Sequence, residues 1–312
     1  MRDIGGRVVS AGQRARAAAV GYQRQGKALR VPWISLTVFA VVVVCAVLAP
    51  QIAPFDPTDI SLLDARQPPL SEGHPLGTDL LGRDMLSRLI FGARSSMTVA
   101  VTALLAAVIV GSFVGLIAGY AGGTVDRIAM RVTDAVLGFP AILTAMLIVV
   151  IFGQGLQNVV LAVVLTTWPR FARMLRGEVL RYREREFVLF ARISGANDVT
   201  ILVRHILPNL INTLLVVATL MMAEVILLEA SLSFLGLGFP PGAPAWGIMV
   251  AEGREVLRQA WWLSLFPGLV ITMVVVATNF LGDWLGDVLD PNRRQTVIPG
   301  LELPASGSQP TA

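Results

Sequence analysis

The chain carries, at residues 184–209, the stretch EREFVLFARISGANDVTILVRHILPN, which is charged, contains a glycine and separates two apolar segments. A connection of this length is uncommon and is usually either functional or disordered. The composition disfavours disorder, because several side chains could together bury an apolar face. These side chains are Phe187, Val188, Leu189, Phe190, Ile193, Ile201, Leu202 and Val203. We therefore expect residues 184–209 to fold and to bind a partner.

Local signals within this stretch predict two short helices joined by a turn. Residues 184–193 can form a helix, and Gly195 allows either a close approach or a turn with positive φ. Asn197 or Asp198 can cap a second helix. Pro208 suits the start of the next helix better than its interior, because proline lacks a backbone donor. The result would be a helical hairpin that projects from the rest of the chain.

The composition of the whole chain indicates a membrane protein. Apolar residues make up 54% and charged residues 15%, with a mean hydropathy of +0.69. Soluble domains contain about 25% charged residues. Each membrane span needs about 20 mostly apolar residues, so a chain of this length can cross a bilayer several times. Cys45 is the only cysteine, which excludes an internal disulfide and offers no metal-site spacing.

Hydropathy predicts six membrane-spanning helices. We place them at residues 33–53, 96–120, 133–152, 158–175, 210–234 and 261–281. The fourth is interrupted by Pro169 and Arg170, and we expect its helix to run on past the proline with a kink. Arg170, Arg173 and Arg176 would then share a face near the membrane surface. A re-entrant segment is the alternative, and it would reverse the orientation of everything that follows.

The distribution of basic residues predicts the orientation. Nineteen of the 25 Lys and Arg residues lie in segments 1–32, 120–132, 170–209 and 282–312, and six lie in 54–95, 153–157 and 235–260. The positive-inside rule then places both termini and residues 184–209 in the cytoplasm. We expect the first span to be retained rather than cleaved as a signal peptide, because the charged segment that precedes it is long for such a leader.

Residues 73–94 carry an apolar stripe at helical spacing, with charged residues on other faces. The stripe consists of Leu76, Leu80, Leu81, Met85, Leu86, Leu89 and Ile90, and the charged residues are Asp79, Arg83, Asp84 and Arg88. This pattern predicts an interfacial helix lying on the outer leaflet. Residues 236–247, rich in proline and glycine, are predicted to form an external loop.

Two acidic residues, Glu224 and Glu229, lie within the fifth predicted span, where ionisable groups are costly and usually face water or the bundle interior. They are our candidates for the translocation pathway. Five residues subtend about 140° on a helix, so the two do not share a face. Glu224 could line the passage or bond to a neighbouring helix, and a structural role is favoured for Glu229. Near the third span, Asp126 and Asp134 could pair with Arg127 or Arg131.

The spacing GYQRQGKA at residues 21–28 matches a phosphate-binding loop only superficially. It ends in Ala28 where Ser or Thr should bind Mg²⁺, and no apolar strand precedes it. If ATP drives this protein, another chain hydrolyses it.

Several stretches together resemble the C-type permease subunit of bacterial peptide and nickel ABC importers. Within residues 183–209, Ala191-x3-Gly195 and the following HILP are similar to the EAA signature of importer membrane subunits. The similarity continues through five further stretches and covers roughly residues 30–291. They are APQIAPFDPTDISL (49–62), HPLGTDLLGRDMLSRLIFGARSSMTVA (74–100), DRIAMRVTDAVLGFP (126–140), EASLSFLGLGFPPGAPAWG (229–247) and GDWLGDVLDP (282–291). Leu189 and Phe190 replace the first two residues of the EAA triplet, so the contact of its Glu is not carried over.

The resemblance implies an all-α, type I importer permease fold with six transmembrane helices and a cytoplasmic coupling-helix loop. In this family the loop sits in a cleft of the ATPase subunit. Small residues (Ala191, Gly195, Ala196) would permit tight packing, and Glu186, Arg192 and Arg204 would fix the orientation by ion pairs. The full set of expected coupling residues is Glu186, Phe187, Val188, Ala191, Arg192, Gly195, Ala196, Asp198, Arg204, His205, Leu207 and Pro208.

The resemblance also implies a set of regions and partners. The regions are a basic arm at 1–32, the first span with an extracytoplasmic segment at 33–93, the type-1 transmembrane domain at 94–283, and a cytoplasmic tail at 284–312, disordered from about 296. The partners are a second, B-type permease, two ATPase subunits or domains that use ATP and Mg²⁺, an extracytoplasmic substrate-binding protein and membrane lipid. No nucleic acid, catalytic residue, metal or bound cofactor is expected for this chain, which would lie in the bacterial inner membrane.

Three functions are therefore compared. The favoured one is a non-catalytic permease subunit that imports di- or oligopeptides, with glutathione or nickel as alternative substrates. A secondary transporter with Glu224 as its proton site would require inverted repeats, which are not visible, and would leave residues 184–209 unexplained. A membrane enzyme is disfavoured, because His74 and His205 are the only histidines and no metal-ligand or nucleophile constellation exists.

Overall fold

The computed structural model describes residues 31–289, and within this range the regular structure is helical, with two isolated β-bridges and no strand. The predicted all-α fold is confirmed. The predictions for the N-terminal arm and for disorder from about residue 296 fall on residues 1–30 and 290–312, outside the described range. The main helices are α1 (Trp33–Ile52), α2 (Met85–Ala121), α3 (Gly123–Leu137), α4 (Ala141–Phe152), α5 (Leu156–Arg183), α6 (Glu186–Ile193), α7 (Leu207–Phe234), α8 (Trp246–Arg254) and α9 (Trp262–Leu289).

Within residues 31–289, four helical stretches are long and apolar enough to cross a membrane: α1, α2, α9 and the stretch Asp198–Phe234, which contains α7. The predicted third span is a pair of helices, α3 and α4, bent by 88°, and it counts as a fifth crossing if the pair is one span. Helix α5 has 28 residues, and it runs through Pro169 as predicted. Because its second half is rich in arginine, α5 is not among the helices that are apolar enough to cross a membrane. The number of six spans therefore remains a prediction.

The interfacial helix predicted for residues 73–94 is wrong. Met85 begins α2, which has 37 residues, and the preceding segment consists of turns. Gly77 and Gly82 both have positive φ and interrupt any helix, while the Asp84 carboxylate caps α2 by accepting a hydrogen bond from the Ser87 amide at 2.8 Å. Of the apolar stripe, Met85, Leu89 and Ile90 are buried inside the protein, whereas Leu81 is exposed.

Three charged residues of this segment, expected on the outside, are buried and pair with the half-buried Glu252 of α8; we call Asp79, Arg83, Arg88 and Glu252 the far-end cluster. Arg83 donates to Asp79 at 2.6 Å and to the carbonyl of Gly242 at 3.1 Å. Arg88 donates to Glu252 of α8 at 2.7 Å and also pairs with Asp79. The cluster therefore joins the start of α2 to α8, at the end of the bundle opposite residues 184–209.

Helices α2 and α5 pack closely along a glycine stripe. Gly111, Gly115 and Gly119 recur every four residues on α2. A Cβ added at these positions would lie 2.5 Å from Phe171 Cβ, 2.6 Å from the Ala172 carbonyl oxygen and 2.8 Å from Val179 Cβ, respectively, all on α5. Small residues at this spacing let two helix backbones approach in membranes, where packing rather than water drives association.

A separate hydrophobic cluster lies where residues 184–209 join α5 and α7. We call it the loop-end core. Its fully buried members are Leu175, Val179, Val188, Ile201, Ile206 and Leu210. Because three of them come from residues 184–209, that segment has its own packed base rather than hanging free between two helices.

Candidate functional site

Helix α6 ends in a Schellman motif. The amide of Ala196 donates to the carbonyl of Ala191 at 3.1 Å, and that of Gly195 donates to Arg192 at 3.0 Å. This pattern needs a residue with positive φ just beyond the helix. Gly195 has φ +83°, and a Cβ there would meet nothing within 4 Å. Of the two roles predicted for Gly195, the turn is therefore the one that the structure shows within this chain.

The second half of the hairpin begins at Asn197. Its side chain accepts a hydrogen bond from the Thr200 amide at 2.8 Å, which confirms one of the two predicted caps. Asp198–Thr200 form one helical turn, and Ile201–Ile206 a π-helical one, before α7 begins at Leu207. Pro208 lies in the first turn of α7, as predicted, where its missing donor costs little.

The expected coupling residues divide by exposure. Val188 is fully buried in the loop-end core, so it supports the hairpin rather than offering a surface. Half-buried residues include Ala191 and Ala196, which pack against the same core. The small size of these alanines therefore serves packing inside the chain. The other half-buried members are His205 and Leu207, and the exposed members are Glu186, Phe187, Arg192, Gly195, Asp198, Arg204 and Pro208.

Three apolar side chains outside that set form the outer surface of the hairpin. Phe190 is 67% exposed, Ile193 82% and Val199 69%. The three-residue spacing of Phe190 and Ile193 on α6 indicates a shared face, and burial of Val188 fixes which face turns inward. We call Phe190, Ile193 and Val199 the hairpin surface.

The hairpin is also tied to the end of α2. The hydroxyl of Tyr120 donates to the Asp198 carboxylate at 2.6 Å, and Arg192 donates to the same hydroxyl at 3.4 Å. Arg183, the last residue of α5, donates to the Tyr120 carbonyl at 3.1 Å. One tyrosine thus connects α2, α5 and both halves of the hairpin.

The arginines at positions 170, 173 and 176 form a ladder of ion pairs along α5. Arg170 pairs with Glu224 of α7, and Arg173 pairs with Asp134 at 2.6 Å. Arg176 makes a two-bond contact with Asp126 at 2.7 and 2.8 Å. The sequence predicted Arg127 or Arg131, on the same helix α3, as partners of the two aspartates. That prediction is wrong, because both aspartates pair with arginines of α5 instead.

The two pathway candidates occupy different environments. Glu224 and its partner Arg170 have side chains that are 48% and 37% exposed, beside a small pocket between α4, α5 and α7. Glu229 is fully buried and accepts a hydrogen bond from Ser233 at 2.8 Å. The burial of Glu229 favours the structural role considered from the sequence. Across residues 31–289, no group of three His, Cys, Asp or Glu residues is placed to hold a metal ion.

Comparison with known proteins gives matches over most of the chain. The family described as binding-protein-dependent transport system inner membrane component matches residues 111–295, and the family described as the N-terminal TM domain of oligopeptide transport permease C matches residues 27–69. The chain is 40% identical over 255 residues to the di/tripeptide transport system permease protein of Pseudomonas aeruginosa, covering 80% of this chain and 84% of that protein. It is 38% identical over 279 residues to the glutathione transport system permease protein of Pectobacterium atrosepticum, covering 85% and 93%.

The fold is similar to that of a chain in inward-facing structures of the MetNI methionine ABC transporter. The TM-score is 0.56 at 16% identity, and the match covers 66% of this chain and 98% of that chain. The predicted importer-permease architecture is therefore confirmed at the level of the fold.

Proposed function

Because the chain belongs to the binding-protein-dependent transport system inner membrane component family, we propose that it is the membrane-spanning permease subunit of an ATP-driven importer. It supplies half of the translocation pathway and carries out no chemistry itself. ATP and Mg²⁺ are bound by partner ATPase subunits, and a second permease chain completes the pathway. A substrate-binding protein delivers the substrate at the opposite side of the membrane.

The hairpin surface is the observation that carries this proposal. Exposed apolar residues on a rigid, internally packed hairpin mark a protein interaction site. Phe190, Ile193 and Val199 would enter a cleft of the ATPase, while Glu186 and Arg204 would form ion pairs at its rim. The loop can shift the transporter between states only if its contacts differ between the ATP-bound and free ATPase.

This assignment also fixes the proposed orientation. An ATPase lies in the cytoplasm, so residues 184–209 and both termini would be cytoplasmic, in agreement with the distribution of arginines. The far-end cluster and residues 236–247 would then face the outside, where the binding protein docks.

We propose that the substrates are short peptides. Relatives named for di/tripeptide and glutathione transport support this class, since glutathione is itself a small peptide. A nickel chelate is the alternative that the family resemblance leaves open. Uptake assays with short peptides and with nickel chelates separate the two.

The test is affinity purification of this chain from its native membrane in mild detergent, followed by mass spectrometry of bound proteins. We expect an ATPase and a second permease. Ile193→Asp should lose the ATPase and keep the permease, because it places a charge in the hairpin surface alone. Leu63→Asp is the matched control, since Leu63 is 98% exposed but lies far along the chain, in the segment between α1 and α2. A chain that purifies alone and transports without ATP would contradict the proposal.

A further inference from the structure

Arg170 and Glu224 lie well inside the lengths of their helices, α5 and α7. Glu224 precedes the end of α7 at Phe234 by ten positions, and Arg170 follows the start of α5 at Leu156 by fourteen. At the rise of an α-helix, these separations correspond to about 15 Å and about 21 Å. Both helix ends lie on the far side of the bundle, since the Gly155 amide donates to Gly238 there at 3.2 Å. With these helix ends at the boundary of a hydrocarbon layer of about 30 Å, the depths place the pair in the central part of the layer, deeper than the surface position expected for Arg170 from the sequence.

The pair is not covered by its own chain. With side-chain exposures of 37% and 48%, Arg170 and Glu224 lie on a surface of α5 and α7 that the other helices leave open. Charged groups at this depth are costly in lipid and face water or protein instead. The open side of this pair is therefore suited to a passage between this chain and the second permease rather than to acyl chains.

An apolar groove lies along α7, the helix that carries Glu224. It has a volume of about 420 Å³ and is lined by α4, α7, α8 and α9, including Ile142, Leu227 and Ser231. The pocket at the pair, lined by Ala141 and Leu228 among others, has a volume of only about 10 Å³, so a peptide terminus enters it only when the pair separates. The lining residues therefore show that pocket and groove both lie along α4 and α7. Cavities of about 300–1,000 Å³ with a few polar groups are typical of small-molecule sites.

We propose that Arg170 and Glu224 hold the two charged termini of a short peptide during its passage. Glu224 accepts hydrogen bonds from the α-ammonium group, Arg170 donates to the terminal carboxylate, and the apolar groove receives side chains. This inference rests on the proposed function and specifies a substrate site for it.

Charge balance favours the exchange of the Arg170–Glu224 ion pair for two ion pairs with a peptide. The resting pair neutralises itself, and a zwitterionic peptide replaces one ion pair by two without leaving any charge unpaired. Ion pairs this exposed contribute little stability, so the pair can separate and accept new partners at small cost. A peptide that lacks one terminal charge would leave either Arg170 or Glu224 without a partner, so the site discriminates against blocked termini.

The test uses the purified complex without its binding protein, so that only this site is probed. A reporter thiol is introduced as Met221→Cys, at the pocket beside the pair, in a Cys45→Ala background. Labelling by N-ethylmaleimide is timed with and without the dipeptide Ala-Ala. At about twice the dissociation constant, Ala-Ala should slow labelling about threefold, since about one third of the sites remain free.

Matched comparisons decide the role of the charges. The blocked peptide N-acetyl-Ala-Ala-amide should protect much less than Ala-Ala, and Glu224→Gln or Arg170→Gln should abolish protection by Ala-Ala. Glu224→Asp, which keeps the carboxylate, should retain part of it. A thiol at Val203 of the hairpin should label at the same rate throughout, because Val203 is exposed and far from the pocket.

Equal protection by the blocked and free peptides, or full protection in Glu224→Gln, would overturn the inference. Should Met221→Cys fail to assemble, Leu228→Cys reports on the same pocket. ATP-dependent uptake into vesicles by the unaltered complex is measured in parallel. Peptide uptake without protection of the thiol at position 221 refutes the terminus-binding site alone. Peptide uptake that does not depend on ATP refutes the proposed function itself.

Discussion

The hydroxyl of Tyr120 lies 2.6 Å from the carboxylate of Asp198 and donates a hydrogen bond to it across 78 positions of sequence. Tyr120 is the penultimate residue of α2, and Asp198 opens the second half of the hairpin. The orientation of the hairpin is therefore set partly from outside, by a transmembrane helix that does not precede or follow it in the chain.

Replacing Tyr120 by Phe should loosen the hairpin without unfolding the protein. The change removes the hydrogen bond to the Asp198 carboxylate and the longer one from Arg192, which at this exposed site are together worth about 1 kcal/mol. Amide hydrogen exchange of residues 184–209 in the purified complex should then become about fivefold faster. Tyr182→Phe is the control, because the ring of Tyr182 packs against Phe187 while its hydroxyl makes no hydrogen bond within the described residues. Unchanged exchange in the Tyr120 variant would mean that the bond does not hold the hairpin.

Replacing Gly195 by Phe should uncouple transport from ATP hydrolysis while leaving membrane insertion intact. The left-handed backbone conformation of Gly195 is strained for any residue with a Cβ. That strain costs about 1–2 kcal/mol, and it should displace the turn that presents the hairpin surface. The ratio of peptide taken up to ATP hydrolysed, measured in proteoliposomes, should fall.

The control for this variant is Gly177→Phe, since a Cβ at Gly177 also meets open space but the residue is helical. A normal ratio in the Gly195 variant would refute the coupling role of the turn.

Replacing Gly115 by Leu should destabilise the whole bundle. Even a Cβ would lie 2.6 Å from the Ala172 carbonyl, so α2 and α5 would be forced apart. Overpacking of this kind costs about 1–3 kcal/mol or more. The melting temperature in detergent should drop, whereas Gly268→Leu on α9, where a Cβ meets nothing within 4 Å, should change it little. Equal melting of the two variants would show that the helices can separate without cost.

Replacing Glu252 by Gln should weaken the far end of the protein. Glu252 accepts from Arg83 and Arg88, and the latter is 1% exposed, so its charge would lose one of its two carboxylate partners. Leaving a buried charge under-compensated costs about 3 kcal/mol. Limited proteolysis should cut the segment between α1 and α2 sooner. Glu255→Gln, an exposed carboxylate three residues on, should leave the cleavage pattern unchanged.

Hydropathy and capping signals predicted the parts of the fold that depend on local sequence. The first helix, the extent of α6, the Asn197 cap and the position of Pro208 all follow from residues near one another in the chain. The glycine stripe on α2 was equally readable, since its four-residue spacing is a known signal for close helix packing. Hydropathy alone does not reveal it.

The predictions that are wrong concern features that depend on contacts between residues far apart in the sequence. The stripe from Leu76 to Ile90 has the spacing of an interfacial helix, but Glu252 lies 164 positions beyond Arg88 and draws the charged face inward. Likewise, the spacing of Arg173 and Arg176 shows that they share a face, while their partners on α3 depend on how α3 and α5 cross. The exposure of Ile193 depends on Val188 reaching the loop-end core, which no local pattern reveals.

Helix α5 is about 42 Å long. It is held against α2 by the close contacts at the glycine stripe. One end, through Leu175 and Val179, is embedded in the base of the hairpin, and the other starts at a backbone hydrogen bond to Gly238. Close-packed interiors compress very little. A displacement of the hairpin must therefore either bend α5 or move the far end of α5 by almost the same distance.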